Sequence, residues 1–296
     1  MSWSRRMNLA IEYIEEHLSR DLAIDDVAEV ACCSKYHFHR MFFAAFRVTF
    51  SEYVRRRRLT LAAVDIANGD GRIVDVALKY GYVSPNAFTR AFRNIHGFNP
   101  GKVRSSQGQL ASYNRVFFPL QTTGVEKMNY RIVEIPSFRV VGKSKRFEFD
   151  EFVKNGAKFW KEYVSSEEYK QLCQLANGKP GALTGASLLS AYFPKGDSNK
   201  DEFLDVLGLE TAYEIDADAD KGEFEIHTVP SATYAEFDCT YKTSMKTNRY
   251  IYGEWFSATG YERDGNKPDI AAYFPIAFRP LGEMRVRWWV PVIRKK

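Results

Sequence analysis

The side chains that could do chemistry fall into four groups. His37 and His39 stand two apart beside the adjacent thiols Cys32 and Cys33, and Arg55, Arg56, Arg57 and Arg58 form an unbroken basic run. The second half of the chain carries a scatter of aromatics among strand-like segments. Each group has a plain alternative. Two histidines at i and i+2 of a helix lie on different faces and cannot share a zinc ion, so no metal site is expected. Adjacent thiols can hold a soft metal and read as a sensor, but a place inside a packed helical unit favours small buried hydrophobes. Four consecutive helical arginines point in four directions, so at most two can meet one partner, and such a run is more often a solvated face. No glycine-rich phosphate loop or GxSxG elbow is present, so no cofactor is expected and no catalytic residue is assigned.

The elements that position these groups divide the chain in two. At 296 residues, with 45% hydrophobic and 27% charged residues, the chain fits two globular domains and excludes wholesale disorder. Residues 1–106 carry 16 Lys+Arg against 11 Asp+Glu, while residues 107–296 carry 26 of each, so the whole net charge of +5 lies in the first part. A basic domain joined to a neutral one suits a polyanion on one side and a different task on the other. Four irregularly spaced cysteines, no apolar leader and no run long enough to span a bilayer point to a reducing, cytoplasmic setting with nucleoid association and no membrane partner.

The first part reads as helices. Met7, Ile11, Ile14 and Leu18 make one apolar stripe. Asp25 and Asp26 mark a second start and Ser34 a third, which carries Phe38, Met41, Phe42 and Phe46 inward. A longer helix runs from about Ser51 to Asn68. The pattern then repeats: Val27-Ala28 returns as Val76-Ala77, and Ser34, Phe38, Arg40 and Phe42 return as Ser84, Phe88, Arg90 and Phe92, 50 residues later. Each copy is a helix, a tight turn and a second helix begun at a Ser cap, with Gly81 in the second turn where the first has Cys32.

Residues 107–127 read as a linker around the apolar knot Val116-Phe117-Phe118-Pro119-Leu120. Beyond Met128, residues 130–137 are echoed at an offset of 94 by residues 224–231. Each copy continues as a strand, a helix (about Glu148–Leu175 and about Ser244–Gly260) and two strands ending near Asp216 and Ile293. The expected fold is multidomain: an all-α tandem helix-turn-helix domain (1–106), then an α+β domain (128–296) of two duplicated β-α-β-β modules whose pseudo-twofold axis carries a cleft.

The tandem unit, through Ser34-Lys35-Tyr36-His37-Phe38-His39-Arg40-Met41-Phe42, Tyr80-Gly81-Tyr82 and Gly97-Phe98-Asn99-Pro100, resembles the AraC/XylS transcription regulators. The resemblance implies two recognition helices entering successive major grooves about 34 Å apart, so that one monomer can occupy a duplex site. Tyr36, His39 and Arg40 would read bases from the first, and Asn86, Thr89 and Arg90 from the second, with the two arginines able to fork onto guanine. RNA polymerase is a further implied partner. Pro85 sits at a reading position but is better suited to the first helical turn.

Residues 128–296 resemble the GyrI-like effector-binding domains, through Val229-Pro230-Ser231-Ala232-Thr233-Tyr234-Ala235-Glu236-Phe237, Trp255-Phe256, Gly260-Tyr261-Glu262 and Pro268-Asp269-Ile270-Ala271-Ala272-Tyr273. That family binds hydrophobic, often cationic molecules in an aromatic cleft with a central glutamate, and some relatives are hydrolases. The glutamate position here is Ala271, which counts against hydrolysis and against a carboxylate-anchored cation. Trp160, Tyr192, Tyr213, Trp255 and Tyr273 are the candidates to stack on a small-molecule effector, and Glu254, Glu262 and Asp269 the possible substitute acids. The function expected is a one-component, sequence-specific DNA-binding regulator of multidrug-response type, not an enzyme. The alternatives are a GyrI-like hydrolase or a protein-partner-binding domain fused to a DNA-binding module.

Overall fold

In the computed structural model, residues 3–69, 71–103, 110–118, 128–176, 179–194, 202–211, 224–265, 267–274 and 280–294 are described. The chain forms two compact units, Met1–Gln121 and Thr122–Lys296.

The first unit is helical: α1 (Trp3–Glu16), α2 (Ile24–Val30), α3 (Lys35–Phe46), α4 (Phe50–Asn68), α5 (Ile73–Lys79) and α6 (Pro85–His96). Serine caps start both second helices, Ser34 accepting from the His37 amide and Ser84 from the Ala87 amide, each at 3.3 Å. Asp25 and Asp26 do not cap α2; they lie in its first turn, where their charge meets the positive end of the helix, and Ala23 holds the cap position. α4 serves both halves. Its start gives Phe50 and Tyr53 to a cluster with Phe38 and Phe42, and its end gives Leu59, Ala62, Ala63 and Ile66 to a core with Val76, Tyr80, Phe88 and Phe92. Phe118 of the apolar knot belongs here too. It is 2% exposed, its ring meets Trp3 and Phe46 edge-on, and its backbone is gripped on both sides by the Asn8 amide at 2.8 and 3.0 Å.

The second unit holds β1 (Arg131–Ile135), β2 (Phe138–Glu148), α7 (Phe149–Val164), α8 (Glu167–Leu175), β3 (Leu188–Pro194), β4 (Glu202–Thr211), β5 (Glu225–Val229), β6 (Ala232–Thr240), α9 (Tyr241–Tyr250), β7 (Tyr261–Arg263), β8 (Asp269–Phe274) and β9 (Arg285–Arg294). The single helix expected over 148–175 is two, because Ser166 stops the first and caps the second through the Tyr169 amide. After α9 the backbone widens into a π turn, Ile251–Trp255, before a short helical end at Phe256–Ala258. Asp216 lies outside the described residues.

The sheet runs β1-β6-β9-β8-β3-β4-β2-β5, with β7 added on β9. The two echoed segments, β1 and β5, stand at its opposite ends with the same burial sequence, exposed at the start and buried at the last residue. Its middle is the antiparallel β3–β8 pair, in which Ser190 faces Ala271 and Tyr192 faces Asp269. One face packs Val140, Leu189, Ala191, Val206, Ile270 and Trp289 into a core. Residues of opposite parity, among them Ser190, Tyr192, Asp205, Ala271, Tyr273 and Trp288, take the other face. α7 and α9 lie on that face, since Phe152 and Trp160 meet Tyr192 and Tyr273 while Ser244 accepts from the Trp288 indole at 2.9 Å.

Candidate functional site

The second helices of the two repeats, α3 and α6, stand in unequal condition. α6 is strongly one-sided: Phe88, Phe92 and His96 are buried, while Pro85, Asn86 and Arg90 are exposed and Thr89 is half-buried. That is an open polar and basic face at the start of a helix, the geometry a major groove accepts. Pro85 occupies the first helical turn, where its lost amide hydrogen costs nothing. α3 differs. Tyr36, His39 and Arg40, expected on an open face, are 8%, 4% and 6% exposed. Arg40 lies over the Tyr36 ring and donates to its hydroxyl at 2.9 Å, and the His39 ring stands edge-on to Phe50.

The arginine run is absorbed by the fold. Arg55 and Arg56 bind Glu52; Arg57 binds Glu15 at 2.7 Å and the Tyr113 carbonyl at 2.6 Å; Arg58 donates to the carbonyls of Leu18 and Arg20. The run ties α4 to α1 and to residues 110–118, so the solvated-face alternative also understates its structural part. The thiol pair departs from its expected burial: Cys32 is exposed and Cys33 half-buried.

In the second unit the structure gathers three of the expected aromatics and separates one. Trp160 meets Tyr273 at 5.7 Å and Tyr241 at 5.8 Å, and Tyr192 stacks on Trp288 at 5.9 Å with 19° between the planes. Tyr213 lies outside the described residues. Trp255 does not share a cleft with Tyr273: it is 1% exposed in its own cluster, stacked on Tyr261 and edge-on to Tyr130, Phe237 and Phe256. Asp269 is no substitute acid, because Arg263, itself fully buried, binds it at 3.1 Å and the Tyr252 hydroxyl donates to its other oxygen.

The acid on this face that sequence reading missed is Asp205. It is 3% exposed, opposite Tyr192 in the β3–β4 register, and accepts from the Ser190 hydroxyl at 2.7 Å. Burial first, then the neighbouring Tyr192, Asp205 and Tyr241, push the Tyr273 hydroxyl well above its ordinary pKa, so it stays a neutral donor. A repeat in the sequence could have found this place. Ala191-Tyr192-Phe193-Pro194 recurs as Ala272-Tyr273-Phe274-Pro275, which puts Ser190 and Ala271 at matching positions. Across from Tyr273 the register places Val286, where Tyr192 has Asp205, so the position that matches Asp205 carries no acid.

A separate cavity of about 480 Å³ opens beside β1, β6 and α9, walled by Tyr130, Arg131, Asp238, Thr243, Lys246 and neighbours. Glu236 at its wall is 6% exposed and held by the Arg131 guanidinium at 2.9 Å and the Trp289 indole at 2.9 Å. Asp238 loses solvent by burial, yet Arg287 and Arg285 outweigh that and hold its carboxyl below the usual range.

Residues 131–292 match the family of integron-associated effector binding proteins, more than half of the chain. The chain belongs to that family. Residues 27–106 match a helix-turn-helix domain of AraC type. An HTH-type transcriptional regulator, YbfP of Bacillus subtilis strain 168, is 35% identical over 112 residues, 38% of this chain and 38% of that protein. The regulatory protein SoxS of Salmonella typhimurium is 39% identical over 104 residues, 35% of this chain and 97% of SoxS. Among solved structures, the integron cassette protein VCH_CASS2 from the mobile metagenome of Vibrio cholerae is 14% identical with a TM-score of 0.38, covering 55% of this chain and 95% of that one. This effector-binding protein therefore joins an AraC-type DNA-binding domain to a strand-rich domain. No helix among the described residues is long and apolar enough to cross a membrane.

Proposed function

We propose that this chain is a sequence-specific DNA-binding transcription regulator whose second domain, residues 128–296, senses a small aromatic molecule. The open face of α6 carries the reading: Asn86, Thr89 and Arg90 share one side of a capped helix whose other side is fixed by Phe88 and Phe92. Tyr36, His39 and Arg40 are the corresponding positions of α3 and would join it only once the groups that cover them are displaced. Domain 1–106 binds the duplex as a monomer, since both reading helices lie in one chain, and RNA polymerase is the partner through which regulation acts. The full chain should select a specific duplex of about 20 base pairs from a random pool, with affinity falling steeply as salt rises. Equal affinity for selected and random duplexes would contradict this reading.

The effector is placed on the Tyr192, Tyr273 and Trp160 face, with Asp205 as the acid that meets a cationic or hydrogen-bond-donating nitrogen. Binding rather than catalysis is proposed, because position 271 is a fully buried alanine between Ser190 and Trp288. The cavity beside β1 favours a second reading, with the effector among Tyr130, Arg131 and Lys246. Titrating a planar cationic dye separates them. Asp205→Asn and Tyr273→Ala should weaken binding under the first reading, Tyr130→Ala and Lys246→Ala under the second.

A further inference from the structure

We propose that Cys32 and Cys33 form a two-thiol capture site for a soft electrophile, of which a trivalent organoarsenical is the chemical class. The pair sits in the turn between α2 and α3, ahead of the Ser34 cap, and includes the most exposed of the described cysteines: Cys32 is exposed and Cys33 half-buried. Cys173 is half-buried on α8, and Cys239 on β6 has a thiol pushed up to about 11, first by burial. Neither has a neighbouring cysteine in the sequence, so neither offers two sulfurs to one atom.

The backbone adds a second observation. Cys32 has φ of +52°, while its amide donates to the Glu29 carbonyl at 2.9 Å and the Cys33 amide to Ala28 at 3.0 Å. In extended chain, consecutive side chains point to opposite faces; a left-handed residue at Cys32 takes the turn out of that alternation. A non-glycine residue in that conformation is uncommon, and the matching turn of the second copy uses Gly81 at φ +81°. The first copy thus keeps a thiol where glycine is the easier choice. Trivalent arsenic takes sulfur ligands readily because both are soft.

The reaction balances without an oxidant. An aryl arsine oxide and two thiols give the aryl dithioarsenite and one water: two As–S bonds form, the As–O bond is lost, and both thiol protons leave with the oxygen. Arsenic stays trivalent. The product spans the turn that sets α3 against α2.

The test uses the full-length chain with one equivalent of phenylarsine oxide. Intact mass should show one phenylarsenic added and two hydrogens lost, both Cys32 and Cys33 should be protected from alkylation, and excess small dithiol should reverse the adduct. Cys33→Ser and Cys32→Gly should each weaken capture about 100-fold by removing the second, intramolecular attachment. Cys32→Gly also keeps the left-handed turn, so it remains folded. Cys173→Ser should capture as the parent does. Parent-like affinity in either the Cys33→Ser or the Cys32→Gly variant, or an adduct mapped to Cys173 or Cys239, would overturn the proposal. Because the readout is mass, it stands apart from the DNA-binding reading.

Discussion

The two helix-turn-helix copies share a template 50 residues apart yet solve its two demanding backbone positions differently. The second copy puts glycine at both left-handed residues, Gly81 in the turn and Gly97 after α6; the first uses Cys32 at φ +52° and Arg47 at φ +61°. The side-chain environments differ as strongly. Arg90 is exposed where its counterpart Arg40 is 6% exposed, and the place of Phe46, which packs on Phe118, is taken by His96. A repeated pattern of caps and apolar spacings therefore fixes the backbone unit, while the groups packed around each copy decide which face remains open.

The sharpest test of shared architecture is the pair Phe38→Ala and Phe88→Ala. Both rings are fully buried, and each truncation should cost about 3–5 kcal/mol by leaving a cavity in its own cluster. Denaturant unfolding of the full chain measures both; a loss below about 1 kcal/mol at either would show that copy to be loosely packed. The turn residues come next. Cys32→Gly should stabilise the chain by up to about 1 kcal/mol by relieving a left-handed non-glycine residue, whereas Gly81→Ala should destabilise it by a similar amount. Changes of the same sign would remove the distinction between the turns.

The smallest effect concerns pH. Burial, opposed only by its contact with the Leu59 carbonyl at 3.2 Å, lowers the His96 pKa below 6.5, so the folded state prefers neutral imidazole. Its contribution is complete above the unfolded value and is lost as pH falls through the folded one. Melting curves between pH 7 and 5 should show the parent losing stability more steeply than His96→Phe, which restores the residue type of the first copy. Parallel curves would show that His96 does not titrate on unfolding.

Much of the helical unit was legible because its signals are local. Ser34 and Ser84 cap, Gly69 and Gly97 stop their helices, and the apolar spacing marks Phe38, Phe42, Phe88 and Phe92 as core. What covers a face is not local. Phe118 reaches back to Trp3 and Asn8, and Arg57 to Glu15, across separations that periodicity cannot carry. The strand domain shows the same limit. The echo between residues 130–137 and 224–231 located β1 and β5, but Asp205 gains its meaning only from pairing with Tyr192, which places a carboxylate beside Ser190 and Tyr273. Trp255 looked like a cleft residue by type, yet the π turn at Ile251–Trp255 buries it in a different cluster.

The central claim is that α6 presents the open reading face, and the most direct measurement compares Arg90→Ala with Arg40→Ala in the full chain, each titrated against the selected duplex and a random one. Arg90→Ala should lose about 1–3 kcal/mol on the selected duplex and much less on the random one, with discrimination relaxed at one base pair. Arg40→Ala should lose less on both, since Arg40 is engaged with Tyr36. Equal losses on the two duplexes for Arg90→Ala, or a larger specific loss for Arg40→Ala, would contradict the account.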